Sequence, residues 1–180
     1  GHINYNRSGL PLVEIVTDPD FKSIDKVIEW LKSLLLSLSY IKTIRKNAGI
    51  KVDVNVSTYG ERVEMKNINS LDKIRKALEY EISRQLEDHE NGEEMEQETR
   101  RYDETKGKTT RMRSKENAAD YRFVPEPDLP VIKLDKKMVA ELKKNLPETP
   151  DEKLEKLIKK YKVDKKDAEI LSKNIDLVEF

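Results

Sequence analysis

The chain has 180 residues, and its 35 Lys+Arg balance 35 Asp+Glu to a formal net charge of zero. Neutrality excludes a histone-like polycation and an acidic tail, so any nucleic-acid contact must come from a local patch. The lack of cysteine excludes a disulfide framework, a thiolate zinc site and a cysteine nucleophile, and no apolar run reaches the roughly 20 residues of a membrane span, so a cytoplasmic location is expected.

Residues 1–9, GHINYNRSG, lead directly into the β-rich stretch LPLVEIVT at 10–17, which stops at the turn signal Asp18-Pro19-Asp20. From Ile24 the period changes. Ile24, Val27, Ile28, Leu31, Leu34, Leu35 and Leu38 recur at helical spacing, which predicts an amphipathic helix over 24–39. Ser23 is its expected N-cap, and Asp25 stands in the first turn, where the helix dipole favours an anion.

Two alternating strands follow. Over 51–57, Val52, Val54 and Val56 take one face and Asp53 and Asn55 the other. Over 62–67, Val63 and Met65 oppose Arg62, Glu64 and Lys66. Tyr59-Gly60-Glu61 is short enough to join them as an antiparallel hairpin. Ser70 should cap a helix over 71–88, with Leu71, Ile74, Leu78, Ile82 and Leu86 on one stripe.

Residues 87–98 carry seven acids, and 100–115 carry seven bases against two acids, with a hairpin turn expected at Thr105-Lys106-Gly107-Lys108. Pro125, Pro127 and Pro130 predict an extended connector. Beyond it, Lys/Glu-rich amphipathic helices are expected at 136–145, 151–161 and 165–174, which sets a domain boundary near 133. Both ends read as cuts through a longer chain.

Strands with one apolar and one charged face belong to a sheet covered on one side. Helices 24–39 and 71–88 have the stripes to cover it. Glu14 is the unusual acid, set among Leu12, Val13, Ile15 and Val16, and its burial is costly without a cationic partner. If 10–17 joins the sheet with Glu14 on the polar face, Glu14, Asp53 and Glu64 converge. Three carboxylates without cysteine suit Mg²⁺ or Mn²⁺ rather than zinc. Lys66 and the arginines of 100–113 would then suit phosphate oxygens. Three plainer readings stand beside this one. Asp53, Glu64 and Lys66 can be ordinary cross-strand charge pairs, Arg7 can satisfy Glu14, and 100–115 can be a solvated hairpin neutralised by the acids before it. His2 and His89 carry no role on pattern, and Tyr102 and Tyr121 fit packing better than base stacking. The sequence has no GxSxG, P-loop, GxGxxG or HExxH motif.

NYNRSGLPLVEIVTDPD, KVDVNVS, VEMKNINSL, ALEYEISRQ, QETRRYDETKGKTTRMRSKE and DYRFVPEPDLP occur in that order. Together they resemble the GatB family, the B-subunits of the glutamyl/aspartyl-tRNA amidotransferases, of an archaeal type. The likeness is close over 4–134 and looser over 135–180. The paralogous archaeal E-subunit shares the first motifs, but QETRRYDE and the segments after it fit the GatB family better.

The resemblance implies an α+β fold. Residues 1–133 would form part of a glutamine-synthetase-like cradle of antiparallel sheet covered by helices on one face, and 134–180 the start of an all-α helical domain. It implies a ligase component that uses ATP and Mg²⁺ to phosphorylate the side-chain carboxylate of glutamate or aspartate mischarged on tRNA. Ammonia then gives Gln-tRNA(Gln) or Asn-tRNA(Asn). Its partners would be the amidase A-subunit, the small C-subunit, Glu-tRNA(Gln) and Asp-tRNA(Asn). Carried onto this sequence, Glu14, Asp53 and Glu64 would hold the metal. Glu14 and Lys66 would be catalytic, and Lys66, Asn67, Arg101, Arg111 and Arg113 would bind ATP phosphates or the tRNA acceptor end. The family's N-terminal cradle portion and tail domain have no counterpart here, and Arg45-Lys46-Asn47-Ala48-Gly49 replaces an acid-containing segment of bacterial relatives. The 180 residues alone are therefore expected to be inactive. A non-catalytic tRNA-binding module and a subunit-docking scaffold are the competing readings.

Overall fold

The computed structural model describes residue 9 and residues 11–44, 50–114 and 128–179. Helix α1 (Ile24–Ser39) begins where the period predicts. Ser23 is extended, and its side chain accepts from Lys26 N at 3.4 Å, which satisfies one of the free N–H groups of the first turn. Strands β1 (Val52–Val56) and β2 (Val63–Ile68) pair antiparallel. The turn between them contains Gly60 at φ +78°, a left-handed conformation that glycine adopts without steric cost. Helix α2 (Leu71–Glu90) starts at Ser70, which accepts from Lys73 N at 3.2 Å. Strands β3 (Glu98–Asp103) and β4 (Lys108–Ser114) form the second hairpin. Helices α3 (Lys136–Lys144), α4 (Pro150–Lys159), α5 (Lys165–Leu171) and α6 (Ile175–Val178) follow.

The sheet has the order β1-β2-β3-β4 and is mixed, which corrects the expectation of an antiparallel sheet. β2 and β3 run parallel because α2 lies between them. A helix of 20 residues spans about 30 Å, enough to carry the chain back to the end where β2 began. Helices α1 and α2 cover one face. Their core joins Ile28, Leu31, Ile74, Ala77 and Leu78 to Val63, Met65 and Ile68 of β2. Each of the larger side chains, once buried, contributes about 1.5–3 kcal/mol of transfer free energy.

Two expectations fail along the chain. Residues 11–17 form no strand, and Leu12 and Val13 are each 87% exposed. A β-rich stretch becomes a strand only with a ladder partner, and the four described strands pair among themselves. The stripe predicted for α2 also drifts. Ile82 is half-buried and Leu86 exposed, while the polar Glu81 and Gln85 take the buried positions. The cause is the seam between the two hairpins beneath that end of α2, which offers hydrogen-bonding partners.

Pro125 and Pro127 of the expected connector lie outside the described residues. Helix α3 buries none of its residues. Helices α5 and α6 are attached to the first part of the chain through the end of α1. Tyr40 is 1% exposed, and its hydroxyl donates to the Ser172 carbonyl at 2.5 Å. Lys42 pairs with Glu179 at 2.8 Å nearby. Among the described residues no helix is long and apolar enough to cross a membrane.

Candidate functional site

The face of the sheet turned away from α1 and α2 brings three of the predicted residues together. Lys66 Nζ lies 3.1 Å from Glu64 Oε1 and 3.7 Å from Asp53 Oδ2. Glu64 and Lys66 are two apart on β2 and so share a face. Asp53 joins them through the regular part of the register: Asn55 pairs with Glu64 and Val54 with Met65, so the next residue, Asp53, stands opposite Lys66, and the ladder becomes irregular only beyond that point. Val52 pairs with Ile68, so β2 carries one extra residue there. Such a bulge re-aims side chains. It lets Val63, Met65 and Ile68 all remain buried.

Arg101 enters from the second hairpin. It is the register partner of Lys66 across the parallel β2–β3 join, so the two cations stand side by side on the uncovered face. Arg101 Nε donates to the Thr110 hydroxyl at 3.3 Å and meets no carboxylate among the described residues. Thr99 is the register partner of Glu64 and donates to its Oε2 at 3.3 Å. The arrangement is two carboxylates, one lysine half-buried between them and one exposed arginine. Like charges on neighbouring strands repel, and an anion seated across them relieves that repulsion.

The other predicted residues fall elsewhere. Glu14 is exposed on the unpaired 11–17 segment. The expected convergence of Glu14 with Asp53 and Glu64 is not found, and among the described residues no three His, Cys, Asp or Glu side chains gather as a metal-binding group. The convergence requires 11–17 to pair as a strand, and that segment is not part of the sheet. Arg111 is the register partner of Arg100 and shares its side of the sheet, opposite to Arg101. It pairs with Glu98 at 3.1 Å and Glu96 at 3.2 Å. Part of the basic stretch is thus neutralised by the acids that precede it. The side chains of Asn67 and Arg113 lie outside the described residues.

Mg²⁺ commonly takes one or two carboxylates, several waters and substrate phosphate oxygens rather than an all-protein cage. Asp53 and Glu64 are two carboxylates of the type such an ion takes, and in this structure both are paired with Lys66. They do not amount to a three-carboxylate centre.

The most buried carboxylate among the described residues belongs to none of the residues expected at the site. Glu81 is fully buried, and its Oε2 accepts from Thr109 Oγ1 at 2.6 Å and lies 3.4 Å from Arg100 Nε. Arg84 donates to both carboxylate oxygens of Glu81, and Gln85 Nε2 donates to Oε1 at 3.1 Å. Burial works against the charged form, but the hydrogen bonds from Arg84, Thr109 and Gln85 together hold the Glu81 carboxyl below its ordinary range. Arg84 also pairs with Asp88 and Glu98, and Arg100 with Glu98 at 2.7 Å. The available signal was the helical spacing of Ala77, Glu81 and Gln85, which continues the apolar stripe with polar residues.

The sequence matches the family model described as the GatB/GatE catalytic domain over residues 1–140. It is 42% identical over 180 residues to the aspartyl/glutamyl-tRNA(Asn/Gln) amidotransferase B-subunit of Methanosphaera stadtmanae, a match covering 99% of this chain and 40% of that protein. The B-subunit of Methanocaldococcus jannaschii is 41% identical over 184 residues, covering 99% of this chain and 39% of the relative. That of Caldicellulosiruptor saccharolyticus is 43% identical over 180 residues, covering 94% of this chain and 38% of the relative. The chain thus spans about 40% of the length of these curated relatives. With a match over most of its length, and with the carboxylates and lysine of its KVDVNVS and VEMKN segments meeting on one face, the chain belongs to the GatB/GatE catalytic domain family.

Proposed function

We propose that this chain supplies the ATP-using site of a tRNA-dependent amidotransferase, a ligase acting on glutamate or aspartate mischarged on tRNA. Lys66 and Arg101 bind the phosphates of ATP, and Asp53 and Glu64 hold Mg²⁺ beside them. Held by Asp53 and Glu64, the metal would supply positive charge against the negative charge of the phosphates during transfer. A side-chain carboxylate oxygen of the aminoacyl group attacks the γ-phosphorus, and the bond from that phosphorus to the ADP oxygen breaks. Ammonia then attacks the acyl carbon, phosphate leaves with the former carboxylate oxygen, and a proton is lost as the amide forms. No protein nucleophile is needed; what the chain contributes is position and charge. The amidase A-subunit would release the ammonia, with the small C-subunit completing the assembly.

Membership of the family supports this reading, and so do the B-subunit relatives named for aspartyl/glutamyl-tRNA amidotransferase activity. The observation that carries it within the molecule is the placing of Lys66 between Asp53 and Glu64, with Arg101 in register. In the complete enzyme, Lys66→Met or Glu64→Gln should lower aminoacyl-tRNA-dependent ATP consumption by about 100-fold or more. Glutamine hydrolysis should persist. Undiminished ATP consumption in both variants would overturn the assignment.

A further inference from the structure

The site joins two hairpins that no short turn connects. Lys66 comes from the β1–β2 hairpin and Arg101 from the β3–β4 hairpin, and they meet only across the parallel β2–β3 pair. On the opposite face of that seam, α2 presents one continuous polar chain that touches both hairpins. Gln85 Oε1 accepts from the backbone N–H and the hydroxyl of Thr58, two residues past the end of β1, at 2.9 and 3.0 Å. Gln85 Nε2 donates to Glu81, and Glu81 accepts from Thr109 of β4 and lies against Arg100 of β3.

Arg100 and Arg101 are adjacent and point to opposite faces. Whatever fixes Arg100 on the covered face fixes Arg101 on the other. A slip of β3 by one residue would exchange them, and the β3–β4 ladder already carries an irregularity between Thr99 and Arg100. Arg100 is held against such a slip by Thr109 Oγ1 at 2.9 Å and the Thr109 carbonyl at 3.1 Å, in addition to Glu98. We propose that Glu81, Gln85 and Thr109 are positioning residues that set the spacing and register of Arg101 relative to Lys66. They touch neither the nucleotide nor the aminoacyl group. The inference rests on the phosphate-binding role given above to Lys66 and Arg101.

The test is a mutant cycle in the complete enzyme, reading KM for Mg·ATP and kcat of aminoacyl-tRNA-dependent ATP consumption. Thr109→Val should raise KM about tenfold with kcat within about twofold of the parent, and Thr109→Ser, which keeps the hydroxyl, should restore the parent KM. In an Arg101→Ala background, Thr109→Val should add less than about twofold, because both changes remove the same contact. Gln85→Met should behave like Thr109→Val and takes its place if that variant does not fold. A parental KM in both Thr109→Val and Gln85→Met, or effects that multiply with Arg101→Ala, would overturn the positioning role. If Arg101→Ala alone leaves KM unchanged, the phosphate-binding assignment of Arg101 fails, and the inference with it.

Discussion

Replacing Glu81 by glutamine keeps the shape of the side chain and removes its charge. Arg84 then keeps Asp88 and Glu98, and Arg100 keeps Glu98. The loss is therefore smaller than the 3–5 kcal/mol typical of stranding a buried charge. It should be close to one charge-assisted hydrogen bond, about 1.5–3 kcal/mol. For a chain of 180 residues that lowers Tm by about 3–12 °C. The pH dependence follows from the lowered carboxyl. The unfolded chain titrates near the ordinary value of 4.5, and the folded carboxyl titrates below it. The charge-dependent stability is thus fully present above the unfolded value and is lost as pH falls through the folded one. Urea unfolding of parent and Glu81→Gln at neutral pH and at a series of acidic values measures the gap. It should close as the pH drops below the unfolded value. A glutamine variant as stable as the parent at pH 7, or a gap constant down to about pH 3, would refute the reasoning.

Other consequences follow from single contacts. Gly60 has φ +78°, and a Cβ there would stand 3.0 Å from Met95 Cβ, whereas Gly92 at φ +74° faces open space. Gly60→Ala should therefore destabilise by about 2–3 kcal/mol and Gly92→Ala by about 1 kcal/mol, compared by denaturant midpoints. Tyr40→Phe leaves the buried Ser172 carbonyl without its donor, at a cost of about 1–3 kcal/mol, and hydrogen exchange should speed up in α5 and α6 while the sheet stays protected. Met65→Ala, in the centre of the core under α1 and α2, should cost about 2–5 kcal/mol on thermal unfolding.

The local elements were legible because their signals are local. Ser23 and Ser70 mark helix starts, valines at alternate positions mark β1, and Gly60 and Gly107 mark the two hairpin turns. The meeting of Asp53, Glu64 and Lys66 was legible for the same reason, since a hairpin brings alternate residues of neighbouring strands together. Pairing between distant segments was not. Nothing in the composition of 98–103 says that it lies parallel to 63–68. The bulge at Lys66-Asn67 is also hidden, because both strands alternate cleanly when read alone. Glu81 and Gln85 were missed because a polar residue on a helix reads as solvent-facing until its partners are known. Those partners, Thr109 and Arg100, sit within a stretch that reads simply as basic. Glu14 misleads in the opposite direction. An acid inside an apolar run suggests a buried site only if the run pairs, and here 11–17 does not.

If a side-chain carboxylate is activated by phosphorylation at this site, one of its oxygens must end in inorganic phosphate. The direct measurement uses Glu-tRNA labelled with ¹⁸O in the glutamate side-chain carboxylate, turned over by the complete enzyme with ATP and glutamine. Inorganic phosphate should acquire one labelled oxygen for each amide formed, and Lys66→Met should abolish this transfer while glutamine is still hydrolysed. Amide formation with unlabelled phosphate would contradict activation by phosphorylation.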